Sequence, residues 1–176
     1  FGIGLTVLTA VAGVQANLRH EIGETLPQDA PAFFFIDIQP DQIGPFREIA
    51  EATPGVQGIE SVPSLRGRIT AIAGVPVAQA VIDPQVQWTI EGDRGVTYTA
   101  LPPESSTIVA GEWWPPDYAG PPLLSLDAKI AAGFGLSIGD TLTVNILGRE
   151  ITATIANLRK IDWTTMGINF VLVYAP

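Results

Sequence analysis

The chain opens with an apolar run that constrains its architecture more than any other segment. Residues Phe1 to Val14 carry no charge and are almost all apolar. A helix that crosses a bilayer needs about 20 residues, so this run is too short for a complete span. The sequence also begins without Met. We therefore expect the cut end of a membrane helix, with a buried core helix or the apolar part of a signal peptide as alternatives.

The apolar run continues without a helix breaker into a polar segment. Val14, Leu18 and Ile22 recur every four residues and give one apolar face. Pro27 and Pro31 then end the helical pattern. The spacing predicts a membrane helix that extends into a polar stalk.

Charge and composition exclude several classes of function. The net charge is −9, and an acidic surface repels phosphate backbones, so nucleic acid is not an expected partner. The chain has no cysteine, which excludes disulfides, iron–sulfur clusters and thiolate zinc sites. His20 is the one histidine, which leaves little material for a histidine metal site or a Ser-His-Asp triad. We expect no cofactor.

The segment after the stalk has the pattern of a β-α-β unit. Phe33 to Ile38 is aromatic and β-branched, which predicts a buried strand. Pro40 and Asp41 favour a helix start, and an apolar stripe at helical spacing runs to about Ala52. The residues from Val56 to Ala73 predict one or two further strands.

The second half of the chain has mostly β patterns. Between residues 75 and 110, short strand-like runs alternate with turn signals. Ser125 to Gly135 predicts a short helix, capped by Ser125 or Asp127 and stopped by Gly135. Alternating apolar residues on both sides of Gly148 predict a β-hairpin, and Asn169 to Tyr174 predicts a last strand.

No set of residues in the sequence forms a catalytic pattern. Asp37 and Asp41 could pair for acid–base chemistry, but Asp41 is better explained as a helix cap and Asp37 as a solvent-facing residue. Ser105, Ser106 and Ser125 have no base near them in the sequence. We predict that the chain is not an enzyme.

Three tryptophans are the candidate contact residues. Trp113 and Trp114 are adjacent in a proline-rich loop, and Trp163 lies near the last strand. Such rings usually anchor a loop by packing, but they also contact partner proteins, lipid tails or the membrane interface. We predict Trp113, Trp114 and Trp163 as contacts for a partner or substrate, with loop packing as the alternative.

Several segments together resemble the extracytoplasmic domain of the FtsX/MacB-like permeases of ABC transporters, in particular the YbbP-like branch. The segments are Phe33–Gln39, Gly111–Pro115, Ser125–Asn145 and Asn157–Phe170. The last of them is the most specific, and the resemblance covers nearly the whole chain.

This resemblance implies an α+β fold. It consists of an N-terminal transmembrane and stalk helix and a β-α-β porter-like base with an inserted small, mostly-β subdomain. The implied divisions are 1–30 for the membrane helix and stalk, 31–74 for the first part of the base, 75–156 for the sabre-like insertion, and 157–176 for the return to the base. In this resemblance the apolar start is the end of a longer membrane helix, and in the family a further helix and strand follow the last segment. The resemblance therefore implies truncation at both ends.

The resemblance also implies a function. The chain would be the periplasmic domain of an inner-membrane permease subunit that transmits ATPase-driven motion to the export or release of a hydrophobic, lipid-like substrate. ATP would be bound by a separate cytoplasmic ATPase subunit, and a periplasmic esterase or lipid-handling protein is a possible partner. The alternative is a membrane-anchored extracytoplasmic binding or scaffold domain for a cell-envelope partner.

Overall fold

The computed structural model of the chain describes residues 11–15, 33–165 and 167–176. Two compact units are distinguished, one of Phe1–Phe35 with Trp163–Gly167 and the other of Ile36–Asp162 with Ile168–Pro176. Residues 11–15 are helical, and the rest of the predicted membrane and stalk segment lies outside the described residues. In the ranges that are described, no helix is both long and apolar enough to cross a membrane.

The larger unit is built mainly from strands. They are β1 (Leu65–Ile72), β2 (Val75–Pro76), β3 (Arg94–Tyr98), β4 (Ser106–Gly111), β5 (Leu123–Asp127), β6 (Thr141–Ile146), β7 (Arg149–Ile161) and β8 (Leu172–Tyr174). The α-helices of this unit are α1 (Ile43–Glu51) and α2 (Ala128–Phe134), and Gln87–Thr89 forms a short 3-10 helix.

Six of these strands close into a barrel. Each strand pairs with the next in the order β1, β3, β8, β5, β7, β6, and β6 pairs with β1 again. The β3–β8 and β5–β7 pairs are parallel, and the other pairs are antiparallel. The short strand β2 adds to β1, and β4 adds to β7. Closure removes the exposed sheet edges from the barrel wall itself.

Alternation along the strands fills the barrel interior with aliphatic side chains. On β6, Leu142, Val144 and Ile146 are buried in the core, because successive side chains of a strand point to opposite faces. Leu126 and Leu172 pair in register across β5 and β8, and both are fully buried. The β-hairpin predicted on both sides of Gly148 is confirmed as β6 and β7.

The β6–β7 hairpin turns through Leu147 and Gly148. Their φ angles are 51° and 84°, and two positive φ angles at the centre of a two-residue loop are typical of a type I′ turn. The side-chain oxygen of Asn145 accepts a hydrogen bond of 3.1 Å from the Gly148 amide. Leucine is an unusual residue at such a position, since a Cβ is strained at positive φ.

Helix α2 begins and ends as the sequence indicates, but it is shorter. The carboxylate of Asp127 accepts hydrogen bonds from the amides of Lys129 at 2.9 Å and Ile130 at 3.2 Å. Gly135 has a φ of 67° and ends the helix in the left-handed conformation. Ser125 is not a cap, because Leu123–Asp127 is strand β5.

The predicted α+β fold with a β-α-β porter-like base is wrong. Phe33 to Ile38 forms no strand, and Phe33 and Ile36 are exposed. Aromatic and β-branched composition favours a strand only where a neighbouring strand pairs with it, and none of the described strands β1 to β8 includes this run in a pair. Asp37 has a φ of 61°, which interrupts an extended backbone. The unit is instead a small β-rich barrel domain.

The helix of the predicted β-α-β unit does exist as α1, but it has no buried residue. Its N-cap is Gln42, without a side-chain capping hydrogen bond, so Asp41 is not the cap. Between Val56 and Ala73 the structure has the single strand β1, which joins the barrel. Strands from all three predicted parts of the ectodomain contribute to the barrel, and the boundaries at 74/75 and 156/157 remain predictions.

Candidate functional site

The loop after β4 holds two of the predicted contact residues side by side. The indole nitrogen of Trp113 donates a hydrogen bond of 2.9 Å to the carbonyl of Ala100. The indole nitrogen of Trp114 donates one of 2.9 Å to the carbonyl of Thr99. The two ring centroids are 4.1 Å apart, with the planes tilted by 34°. Two adjacent indoles therefore fasten this tryptophan loop, residues 111–116, to the segment that follows β3.

The two rings differ in what they offer to a partner. Trp114 is only 4% exposed, and Trp113 is half-buried. A buried ring with a bonded N–H mainly stabilises its loop, whereas a half-buried ring keeps surface for a partner. The contact role of both residues remains a prediction.

Trp163 is not part of this arrangement. It is 59% exposed and lies in the 3-10 helix Trp163–Thr165 of the other compact unit. The structure thus brings Trp113 and Trp114 together and describes Trp163 separately. Its predicted role as a contact residue stays a prediction.

The tryptophan loop is pressed against strand β7. Gly111 has a φ of 76°, and a Cβ on it would lie 2.9 Å from the Cα of Asn157 and within clashing distance of the Ala156 carbonyl oxygen. The side-chain amide of Asn157 donates a hydrogen bond of 3.1 Å to the carbonyl of Glu112. Only glycine therefore fits at the point where the loop leaves β4.

A row of buried side chains crosses strands β3, β8, β5 and β7 and ends at Asn157. Thr97 pairs with Val173, Val173 with Ser125, and Ser125 with Asn157. Their strand neighbours Leu124 and Leu172 point into the core, so the row lies on the outer face of the barrel wall. All four residues of the row are buried.

Arg159 is the charged residue of this region. It is 1% exposed, and its Nε donates a hydrogen bond of 3.0 Å to the hydroxyl of Ser125. A terminal nitrogen donates to the carbonyl of Phe170. Burial lowers the pKa of Arg159 from 12.5 to about 10, and the negative charge of Asp127 partly opposes this shift. The guanidinium is still charged at neutral pH.

A series of hydrogen bonds therefore connects the tryptophan loop with Phe170, just before β8. It runs from Glu112 through Asn157 and Ser125 to Arg159, and the Ser125 hydroxyl donates a bond of 2.5 Å to Asn157. Every polar side chain in it has a partner, which is the condition for a buried polar network to stabilise a fold. We call this series of hydrogen bonds, from Glu112 to Arg159, the polar bridge.

Sequence reasoning did not identify the polar bridge. Asn157 and Arg159 belong to the segment with the most specific family resemblance, but no role was predicted for them. One signal was present: they are polar residues at alternate positions between Ile155 and Ile161. Polar side chains between apolar residues of a strand indicate a buried polar contact. A register shift at Ala156 turns Asn157 to the face opposite Ile155, which the sequence does not indicate.

The hydrogen bonds of the polar bridge hold separate segments of the chain in place. The Ser125 hydroxyl is buried and bonded to an amide and a guanidinium, neither of which can act as a general base. Among the described residues, no group of three or more histidine, cysteine or carboxylate side chains is placed to hold a metal ion.

The fold and site define a small β-barrel domain with a packed aromatic loop, and sequence similarity relates it to the permeases of ABC transporters. The chain is 25% identical over 174 residues to the uncharacterized ABC transporter permease YbbP of Escherichia coli (strain K12). The alignment covers 99% of this chain and 20% of that relative, so the chain spans about a fifth of its length. No family model matches. The predicted resemblance is confirmed for the ABC permease family and, more weakly, for the YbbP-like branch.

Proposed function

We propose that the chain is the extracytoplasmic domain of an ABC transporter permease subunit in the inner membrane. The observation that carries this proposal is the similarity to an ABC transporter permease over 99% of the chain. Similarity of this extent includes the whole barrel, the tryptophan loop and the polar bridge.

In this proposal the domain works by binding and movement. A separate cytoplasmic ATPase subunit binds and hydrolyses ATP, and the permease subunit transmits the resulting motion to the extracytoplasmic side. There it drives the export or release of a hydrophobic, lipid-like substrate. A closed barrel whose loops are fastened by hydrogen bonds moves as one body, which suits a part that transmits motion.

The same proposal gives the tryptophans a role. Trp113, with the adjacent Trp114, and Trp163 contact a periplasmic partner or the substrate. The partner class is an esterase or another lipid-handling protein. Half-buried and exposed indoles are favourable contact residues because they offer a large apolar area with a polar edge.

Co-purification from membranes tests the transporter function. The tagged gene product that carries this chain is extracted in several mild detergents, and its companions are identified by mass spectrometry. An ABC ATPase in near-equal amount is the expected result. If none co-purifies in any detergent, the proposal fails, and a membrane-anchored binding or scaffold domain becomes the better account.

A matched pair of variants tests the contact role of the tryptophan loop. Trp113→Ala is expected to lower recovery of the periplasmic companion and to leave recovery of the ATPase unchanged. Trp88→Ala is the control, because Trp88 is also partly exposed but stacks on Arg94, with the guanidinium carbon 5.0 Å from the ring centroid. If Trp113→Ala and Trp88→Ala recover the periplasmic companion in equal amounts, Trp113 is not a contact residue.

A further inference from the structure

An open groove of 510 Å³ lies on the outside of the barrel, beside the β6–β7 hairpin. Arg66, Arg68 and Thr70 of β1 line one side. These residues alternate along the strand and therefore point to the same face. Asn145 and the turn residues line the other side. A volume of this size suits a small ligand or the headgroup of a larger one.

The groove offers cationic donors that the fold does not use. The side chain of Arg66 is exposed and has no hydrogen-bond or ion-pair partner in the part of the chain that is described. Arg68 uses its Nε for an ion pair of 3.1 Å with Asp93, and both side chains are more than half exposed. The terminal nitrogens of Arg68 have no partner among the described residues. Paired guanidinium groups are the preferred recognition element for phosphate oxygens.

The turn at the rim of the groove presents an apolar side chain to solvent at a cost. Leu147 is 81% exposed and has a φ of 51°. Asparagine or glycine would be favoured there, because leucine is strained at positive φ and gains nothing from exposure. An unfavourable residue at an exposed turn suggests a function that stability does not explain. An apolar tip beside cationic groups matches a ligand that is both apolar and anionic.

We propose that this groove binds an anionic amphiphile. Arg66 and Arg68 bind its phosphate-type headgroup, and Leu147 contacts its apolar part at the rim. This site is separate from the tryptophan loop and does not depend on the proposed transporter function. The same headgroup chemistry occurs in a bilayer surface and in a single dispersed amphiphile, and the experiment below separates them.

The charged residues around the groove determine how strongly it attracts an anionic headgroup. The chain carries a net charge of −9, so the long-range field opposes an anion, and binding depends on the short-range contacts of the two arginines. Asp93 lies in the groove and competes for Arg68. Glu150, opposite Asn145 in the hairpin register, is a second nearby carboxylate. Removal of Asp93 should therefore strengthen binding.

Binding is measured with three probes on the 176-residue chain. The first is vesicles of phosphatidylcholine with one-third phosphatidylglycerol, against vesicles of phosphatidylcholine alone, by co-sedimentation. The second is monomeric dihexanoyl phosphatidylglycerol, by titration calorimetry. The third is inorganic phosphate. We expect both forms of phosphatidylglycerol to bind, more weakly at higher salt, and inorganic phosphate to bind at least tenfold more weakly.

Substitutions in the groove give the expected pattern. Arg66→Gln weakens phosphatidylglycerol binding about fivefold, and Asp93→Asn strengthens it about two- to fivefold. Leu147→Asn weakens binding of the amphiphile about tenfold and leaves phosphate binding unchanged. Lys160→Gln is the control, because it removes the same charge at the opposite end of the 13-residue strand β7. Circular dichroism and thermal unfolding confirm that each variant is folded.

Each other result overturns a defined part of the proposal. Equal losses of monomeric phosphatidylglycerol binding in Arg66→Gln and Lys160→Gln would remove the headgroup site. Phosphate binding as tight as that of the amphiphile would remove the apolar contact of Leu147. Binding to vesicles without binding to the monomer would assign the site to a bilayer surface, and the reverse would assign it to a single amphiphile.

Discussion

Arg159 and Ser125 meet on the buried outer face of the barrel wall, where the guanidinium Nε donates a 3.0 Å hydrogen bond to the serine hydroxyl. The two residues are 1% and 0% exposed. A charge in such a place is stable only if its hydrogen bonds are satisfied. The arginine also donates to the carbonyl of Phe170, so one side chain joins Phe170, just before β8, to Ser125 of β5.

We expect Arg159→Met to lower the free energy of unfolding by about 2–4 kcal/mol. Methionine fills much of the volume but leaves the Phe170 carbonyl without its donor and removes the positive charge that interacts with Asp127. Urea unfolding followed by circular dichroism measures the loss. The neighbouring Lys160→Met is the control, with an expected change within about 0.5 kcal/mol, because Lys160 is exposed. Equal stability of Arg159→Met and the parent chain would show that the polar bridge is not stabilising.

Gly111 is expected to tolerate no side chain. Gly111→Ala adds a Cβ that clashes with the backbone of β7, and it also places alanine at a φ of 76°. Gly74→Ala is a matched control, since Gly74 has a φ of 78° and no atom within 4 Å of an added Cβ. We expect a loss of about 1–2 kcal/mol for Gly74→Ala. For Gly111→Ala we expect at least about 2 kcal/mol more. Similar losses in chemical unfolding would mean that the tryptophan loop moves away from β7 without cost.

The Tyr174 hydroxyl is buried and has no hydrogen-bond partner within the described part of the chain. Tyr174→Phe removes this unsatisfied group, so we expect unchanged or higher stability at neutral pH, by up to about 1 kcal/mol. If Tyr174→Phe instead lowers the free energy of unfolding by more than about 1 kcal/mol, the hydroxyl has an unseen partner, such as a bound water.

Alkaline pH gives Tyr174 a second test. Burial raises the pKa of Tyr174 above its ordinary value of 10.0. As the pH rises above about 10, the unfolded chain loses this proton and the folded chain keeps it, so the stability of the parent falls. Arg159 acts in the opposite direction, because its pKa is lowered to about 10 and the unfolded chain holds that proton longer. The stability difference between parent and Tyr174→Phe cancels the arginine contribution and should grow in favour of the variant from pH 9.5 to 11.

The two tryptophans of the loop should differ in their effect on stability. Trp114→Ala creates a cavity at a buried ring, and we expect a loss of about 3–5 kcal/mol. Trp113→Ala removes a half-buried ring, and we expect about half of that loss or less. Trp114→Phe keeps one of the two fused rings, leaves a small cavity and loses the bond to the Thr99 carbonyl, so we expect an intermediate loss of about 2–3 kcal/mol. Thermal and urea unfolding measure all three variants, and a larger loss for Trp113→Ala than for Trp114→Ala would contradict the assigned packing.

The predictions that were correct are those that depend on local pattern. The β6–β7 hairpin follows from strict alternation, and the ends of α2 follow from Asp127 and Gly135. A cap and a left-handed stop act within one turn of their own helix, so the sequence contains all the necessary information. The family resemblance was also readable from short segments, even though it suggested the wrong architecture.

The barrel itself could not be predicted, because closure depends on pairs that are remote in sequence. Nothing near Arg66 indicates that it lies opposite Gly95 in β3, and nothing in β8 indicates parallel pairing with β3. The prediction for Phe33 to Ile38 failed for the same reason: its composition favours a strand, but the described structure forms no strand there. Arg159 was missed because a buried cation becomes understandable only when Ser125 and Phe170 are seen around it.

The place of β8 in the barrel has a consequence for synthesis of the protein. Its three residues, Leu172 to Tyr174, fit between β3 and β5, which are made much earlier. At about 5–20 residues per second, the ribosome leaves those two strands without this neighbour for about 2–15 seconds. During that interval the nascent chain presents two open sheet edges, which are the surfaces that chaperones protect and aggregates use. Completion of the wall therefore waits for the last strand to emerge from the ribosome.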